Sequence, residues 1–462
     1  MDRLAARFVV TLLVAALVAL FAPAEGFAQD THYWANQLGN RARLLGGAVV
    51  GNPGDLSAVY YNPGGLALSH RAELVLAGLG VELSSIKGTN ADVSDRELEY
   101  RSTSMAPGMF AGEIPLGAES KHRFAYSVLT RYDSDIRIGA YAQLPDDAIA
   151  IPNVALLTDR LSVDARLSEY WAGGTWAYLF QPSFGFGVST FVVVRNQSAS
   201  FGDFSQVLTT DGNALVSVSD SEYSYQHWRL VFKLGFAGEL NDWAVGLTVT
   251  SAGIGIGGNG DRYLNNTRVA QMLGPVVGPI TEIAVDAQRD VTAEFRSPLS
   301  VAFGVSRAFG NTVLHASGEF FAPIGQYVVL DSQPFEAQTS GEMIQTAIID
   351  EADSVFNVAL GLEQIFDEGL KAYVGFHTDF SSATENQATN LTYSQWDLYH
   401  IGGGATFNAM GTDFTLGAIA ALGNSVVQHE GDQTFPPIGL PDGTDMRIQR
   451  ITLILGFNFG FD

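Results

Sequence analysis

The stretch from Arg447 to Asp462 alternates almost without a break. Ile451, Leu453, Leu455, Phe457, Phe459 and Phe461 fall on one side. Arg450, Thr452, Gly456, Asn458 and Gly460 fall on the other, with Ile454 the single apolar exception. A strand has a side-chain period of two, so this segment carries one greasy face and one polar or small face. Such a strand has two homes. In a soluble sandwich the greasy face packs on a second sheet. In an outer-membrane barrel it faces lipid while the polar face looks into the lumen.

The chain begins as a secretory signal peptide does, which we assign to residues 1–28. Arg3 and Arg7 give a positive start, residues 8–22 are apolar, and Gly26-Phe27-Ala28 offers small residues for cleavage. No later run reaches the roughly 18 apolar residues of a spanning helix, so the exported chain is either soluble or a barrel. The chain has 0 Cys, which removes disulfide scaffolds, thiolate metal sites and cysteine nucleophiles. A formal net charge of -24 argues against nucleic-acid partners.

Period-two segments recur about fourteen times, each near the nine to eleven residues that a tilted barrel strand needs. They fall at 72–83, 105–116, 122–132, 167–179, 184–196, 225–239, 243–252, 291–309, 312–322, 355–366, 370–380, 395–407, 412–422 and 447–461. The segment 291–309 is overlong and contains Pro298, so its strand is expected to begin near that proline. The connections alternate. Short ones lie at 117–121, 180–183, 240–242, 310–311, 367–369 and 408–411. Long ones lie at 84–104, 133–166, 197–224, 253–290, 323–354, 381–394 and 423–446. Tight turns on one rim and long loops on the other are what a membrane barrel requires, and a sandwich has no cause to sort them. The predicted fold is therefore all-β: a transmembrane antiparallel up-and-down barrel over residues 72–462, in the bacterial outer membrane. Tyr132, Trp228, Trp243 and Trp396 sit near strand ends, as interfacial aromatics would.

Residues 29–71 lack strand character and hold Gly46-Gly47, Gly51-Asn52-Pro53-Gly54 and Asn62-Pro63-Gly64-Gly65. Such backbone makes a poor strand and a plausible plug. The run 43–66, RLLGGAVVGNPGDLSAVYYNPGGL, resembles the FadL-type family of outer-membrane long-chain fatty-acid transporters and hydrocarbon channels. Asp55, Ser57, Tyr60, Tyr61, Asn62, Pro63 and Leu66 occupy the places of the family's motif, and Gly64 stands where Ala is usual. The resemblance implies an N-terminal hatch inside a fourteen-stranded barrel, external loops that capture a hydrophobic ligand, and no cofactor. The chain ends Phe461-Asp462, whereas signals read by the barrel assembly machinery end on the aromatic itself.

For passage of a greasy solute the lumen must offer apolar lining with a few polar groups. Arg123, Arg131, Arg229, Lys233, Lys371 and Arg450 are the lumen-side cations, and a carboxylate ligand would use one or two of them. Pairing with lumen acids such as Glu113, Glu239 and Asp379 is the competing reading for each. Apolar clusters mark three long loops: Ile149, Ile151, Val154, Leu156 and Leu157; Met272, Leu273, Val276 and Val277; Met343, Ile344, Ala347 and Ile348. They form either a capture groove or the packing that holds the loops together. Pro63 is either a rigid pivot or an ordinary turn residue.

Three functional readings are carried forward. The first is an uptake channel for hydrophobic compounds. The second is a structural or secretion-associated barrel that binds partner proteins. The third is a lipid hydrolase, suggested by His315, Ser317 and Glu319 two apart on one face. Those three should point into the lumen, because Leu314, Ala316 and Phe320 hold the greasy side, so no catalytic residue is assigned and the chain is read as a non-enzyme. The 8 His are scattered, with no metal-ligand spacing, so no metal site is assigned. Asp146-Asp147 and Asp350-Glu351-Asp353 could bridge lipopolysaccharide through Ca²⁺, although solvated acidic loops are the plainer reading. Outer-membrane lipid and lipopolysaccharide are the expected surroundings.

Overall fold

A wall with oil on one side and water on the other follows from the alternation, and the computed structural model closes it. The structure describes residues 31–68, 72–89, 98–105, 108–117, 120–144, 153–271, 279–367, 369–384, 396–428 and 443–461. The assigned signal peptide, and residues 29–30 and 69–71, lie outside them. Within the main sheet, 17 strand segments are joined edge to edge. Three staves are interrupted, so the wall is a closed 14-strand antiparallel barrel. Closure is made by the first strand, Ala72–Thr89, against the last, Gly443–Phe461, with a ladder from Ala72↔Phe461 to Thr89↔Asp445.

The two faces separate as the period predicts. On the sixth stave, Ala214–Leu240, Trp228, Leu234 and Phe236 are exposed while Arg229 and Lys233 between them are buried. On the ninth, Thr312–Phe321, Leu314 and Phe320 are exposed while His315 and Ser317 are buried. Phe303, Leu360, Ile401 and Leu416 continue the exposed apolar belt. A continuous apolar exterior of this extent is unstable in water and is the surface that lipid requires. Trp228 and Trp243 lie on it, but Tyr132 and Trp396 are buried on the inner side and are not girdle residues. At the short-turn rim, Met410 and Gly411 both have positive φ, 54° and 79°, the two-residue hairpin geometry that matches strand twist.

Three predicted long loops are in large part strand. The staves His122–Leu144, Val154–Gln181, Phe184–Thr209 and Ala214–Leu240 have 23, 28, 26 and 27 residues, more than twice a membrane crossing. Ile254–Ala270 and Ile280–Thr292 extend the seventh and eighth staves in the same way. Above the bilayer both faces meet water, so the alternation fades while the ladder continues. Half-buried carboxyls mark this extension. Burial, with Asp159 beside it, pushes the Asp203 carboxyl up to about 7. Its ordinary value is 3.8, so the folded state holds the extra proton between those limits. Stability of the extension is then greatest at acid pH and falls as pH rises through about 7. Protection of the amides in residues 198–222, measured relative to their intrinsic base-catalysed exchange rates, should be greater at pH 5 than at pH 8, and Asp203→Asn should flatten that difference.

Residues 31–68 lie against the inner face of the wall. They form two short helices, Asn40–Leu44 and Ala58–Tyr61, and a 3-10 turn, Pro63–Leu68. Leu44, Leu45, Leu56, Val59 and Leu66 share one apolar cluster with wall residues such as Phe191, Val193 and Val231. Wall glycines permit this contact: a Cβ on Gly187 would lie 2.3 Å from the Pro63 carbonyl oxygen, and one on Gly246 2.0 Å from that of Val50. The 3-10 turn sits over the fifth and sixth staves at Gly185, Gly187 and Gly235, close to their short-turn ends.

The interruptions matter for the site. The second stave breaks between Leu98–Met105 and Met109–Ile114. Its upper piece pairs with the first stave, and among the described residues it forms no ladder with the third. The seventh breaks between Trp243–Thr250 and Ile254–Ala270, and the eighth between Ile280–Thr292 and Ser300–Phe309.

Candidate binding cavity

Residues 293–299 leave the ladder at the break in the eighth stave, and Pro298, which has no N–H to give, stands at the point where pairing resumes. Phe295 lines an interior cavity of about 90 Å³ together with Tyr60 of the N-terminal segment, Tyr132, Trp171, Tyr225 and Phe321. The cavity is ring-lined but not dry. Arg131, Arg195, Arg229 and Lys233 also line it, with Glu169 and Glu319 as the inner carboxylates.

Charge is arranged in two parts. Glu169 binds two guanidinium groups, Arg195 at 3.3 Å and Arg229 at 2.8 Å, and accepts the Trp171 indole N–H at 2.7 Å. Both guanidiniums lie over the Phe295 ring, at 3.8 and 4.9 Å. Arg131 and Lys233 form the second part. Among the described residues neither makes an ion pair, and an Nη1 of Arg131 has no hydrogen-bond partner. Arg131 lies 4.8 Å over Tyr132 and 5.7 Å over Tyr60, while Lys233 Nζ lies 4.3 Å over Tyr60 and donates to Thr250 Oγ1 at 3.0 Å. Aromatic faces stabilise desolvated cations but leave their hydrogen-bonding capacity unused. Burial pushes the Tyr60 hydroxyl up to about 12, so it stays protonated as a possible donor.

The motif residues mostly fix the segment and do not line the cavity. Asn62 donates to the Val50 carbonyl at 2.8 Å and the Phe236 carbonyl at 2.9 Å, and its oxygen accepts the Gly64 N–H. Tyr61 donates to Gln37 and its carbonyl accepts Thr248 Oγ1. Asp55 caps the Ser57 N–H at 2.8 Å, and burial raises its carboxyl above the ordinary range. Leu66 is in the core and Pro63 opens the 3-10 turn. Tyr60 alone of this group reaches the cavity. Outside the motif, Arg41 binds Glu363 at 2.5 Å and the carbonyls of Asn52 and Pro53 at 2.8 Å.

Of the predicted ligand residues, the fold brings together Arg131, Arg229, Lys233 and Ile348. Arg123 is elsewhere: it sits near the short-turn rim and pairs with Glu113 at 3.2 Å. Met343 is exposed in a small hairpin, Met343–Ile344 against Phe335–Glu336. Leu156 belongs to the fourth stave, beside buried Val154 and Leu157, and not to a loop. Ile151, Met272 and Val276 lie outside the described residues. Arg195, Glu169 and Phe295 complete the site without having been expected. Arg195 has the parity of Gly185, Gly187 and Ser189, and that alone could have found it.

His315, Ser317 and Glu319 do face inward, each toward a different partner. His315 meets Ser306 at 2.7 Å and Glu363 at 3.3 Å, Ser317 Oγ accepts the Val50 N–H, and Glu319 accepts the Trp34 indole N–H.

No protein-family model matches the chain, and no curated protein matches it in sequence. Solved structures do. A Pseudomonas aeruginosa FadL homologue superposes with a TM-score of 0.58 over 95% of this chain and 100% of that one, at 12% identity. This chain has the FadL-type fold. The Ralstonia pickettii toluene transporter TbuX gives 0.54 over 92% of this chain and 99% of its own, at 13% identity. The CymD monoaromatic hydrocarbon channel gives 0.55 over 92% and 97%, at 11% identity. A FadL-type barrel is an outer-membrane barrel, in agreement with the apolar exterior.

Proposed function

We propose that this chain is an outer-membrane channel for passive uptake of small hydrophobic compounds, with a preference for those carrying one carboxylate. The observation that carries the reading is the cavity: aromatic walls with two cations, Arg131 and Lys233, that make no direct ion pair among the described residues. A ligand's ring or chain lies against Phe295, Trp171 and Tyr225, and its carboxylate takes the place between Arg131, Lys233 and the Tyr60 hydroxyl. Arg229 is the third cation, already engaged by Glu169. A cavity of about 90 Å³ is smaller than the 150 Å³ that admits benzene in an apolar core. A long chain must therefore displace something, and at residues 293–299, beside the cavity, the strand is already interrupted.

In this reading residues 29–71 act as a plug within the 72–462 barrel, released after removal of residues 1–28 and insertion by the barrel assembly machinery. Lipid and lipopolysaccharide surround the apolar belt. The plug must shift for a solute to pass, and Arg41 with Glu363 is the contact that opposes it. Only differential binding drives the shift, with no covalent step. A partner-binding barrel without transport would have no use for such a cavity.

Purification from native membranes followed by lipid extraction tests the proposal. A carboxylic acid should be recovered at near stoichiometric amount. Arg131→Gln with Lys233→Gln should weaken carboxylate binding by roughly 10- to 100-fold, since charge-assisted hydrogen bonds contribute about 1.5–3 kcal/mol. Binding of a neutral aromatic should change little. Repeated recovery of a barrel with no bound lipid, together with equal affinities in the variant, would sink it.

A further inference from the structure

A second cavity, of about 20 Å³, lies between the N-terminal segment and the last staves. Arg43 of the first short helix reaches it from the segment, and His377, His400 and Arg450 reach it from three wall strands. Their exposures are 3%, 2%, 3% and 2%, so water from either rim does not solvate them. Each carries nitrogen that no protein group meets: Arg43 Nε, Arg450 Nε and Nη2, His377 Nε2 and His400 Nε2. The two imidazoles stack with centroids 4.1 Å apart.

The charges do not balance locally. Arg450 has Glu82 at 3.7 Å, and Glu82 also accepts from Ser84 and Thr452. Arg43 makes no ion pair among the described residues. Asp379 accepts the Trp34 N–H at 2.8 Å and makes no ion pair among them either. Among the described residues, Arg450 thus has one carboxylate within ion-pair distance and Arg43 has none. A buried ion requires a counter-charge or full hydrogen bonding, and a guanidinium can only donate. A water could accept from the guanidiniums but would leave the net charge as it is, whereas an anion both accepts from Arg43 and Arg450 and supplies counter-charge.

We propose that this cavity binds a halide-sized monovalent anion, chloride being the abundant one, and that the anion ties the N-terminal segment to the wall. The volume fits one such ion, since a single water needs about 10–15 Å³ on the same measure. A sulfate or phosphate has no room. Bound anion would hold the folded arrangement of residues 31–68 against the wall by mass action.

Crystals of the full barrel grown or soaked in bromide, with data collected at the bromine edge, read the site directly. An anomalous peak between the Arg43 and Arg450 guanidiniums is expected. In detergent, sodium chloride should raise the thermal midpoint saturably by about 2 °C over sodium gluconate at equal ionic strength. Arg43→Met should abolish that difference. If Arg43→Met does not fold, the wild-type salt comparison and the bromide peak still decide. No bromide peak, with density explained by an ordered water only, overturns the proposal, as do identical midpoints in the two salts.

Discussion

Glu169→Ala should lower the thermal midpoint of the barrel and collapse or flood its ring-lined interior cavity, at a cost of about 3–5 kcal/mol. Glu169, Arg195 and Arg229 are 1%, 2% and 1% exposed, so removing the carboxylate leaves two ions in a low-dielectric interior. Arg195 keeps Gln197 at 2.8 Å and Tyr225 at 3.2 Å, and Arg229 keeps Ser297 at 3.3 Å. These partners are neutral. Trp171 loses its indole acceptor as well, so its fluorescence reports the change at the site. The cost belongs to the orphaned ions and not to the worth of the triad. Changing Glu169, Arg195 and Arg229 together to Met should therefore recover most of the stability. A single variant within about 0.5 kcal/mol of wild type, the scale of an ordinary surface change, would show that water reaches the triad and that the cavity is not sealed.

The wall could be read from residues because one physical constraint repeats along it. Lipid outside and close contact inside force alternation, and the last segment keeps it from Ile451 to Phe461 while pairing with Ala72–Thr89 and Thr412–Gln428 along its length. Where that constraint ends, the reading ended too. Ser198, Ser200 and Gly202 show no greasy face, yet they continue a ladder with Ser224, Glu222 and Asp220, because water on both sides asks only for backbone pairing.

The site was half legible for the same reason. Arg131, Arg229 and Lys233 are charges at inward parity within clear strands, and they converge. Glu169 lies at the edge of its predicted strand, where parity is hardest to count. Phe295 enters from a broken stave, and Pro298 was the only mark of that break. Gly187, Gly235, Gly246 and Gly304 share the inward face and mark where a second layer of backbone lies against the wall, which parity alone does not distinguish from any other small inward residue.

That layer supplies the last prediction. Gly246→Val should push the Asn62-Pro63 turn off the wall and raise ion leakage through the barrel. A Cβ at Gly246 would lie 2.0 Å from the Val50 carbonyl oxygen and 2.5 Å from Asn62 Nδ2, distances that no side-chain rotation relieves because the first is backbone. The segment must move, and Asn62 then gives up the Val50 and Phe236 carbonyls together. Each bond left unmade in a buried site costs about 1–3 kcal/mol, so the segment loses on the order of 2–6 kcal/mol of its hold. The barrel need not unfold, since the wall's own ladder at Ala237↔Gly246 and Gly246↔Gly304 keeps its backbone bonds. Conductance across planar bilayers and protease access to residues 31–68 should both rise. Gly460→Val is the control: a Cβ there meets nothing within 4 Å, so it should leave both unchanged. Wild-type conductance in Gly246→Val would mean that residues 31–68 do not obstruct the lumen, and the plug reading would fall with it.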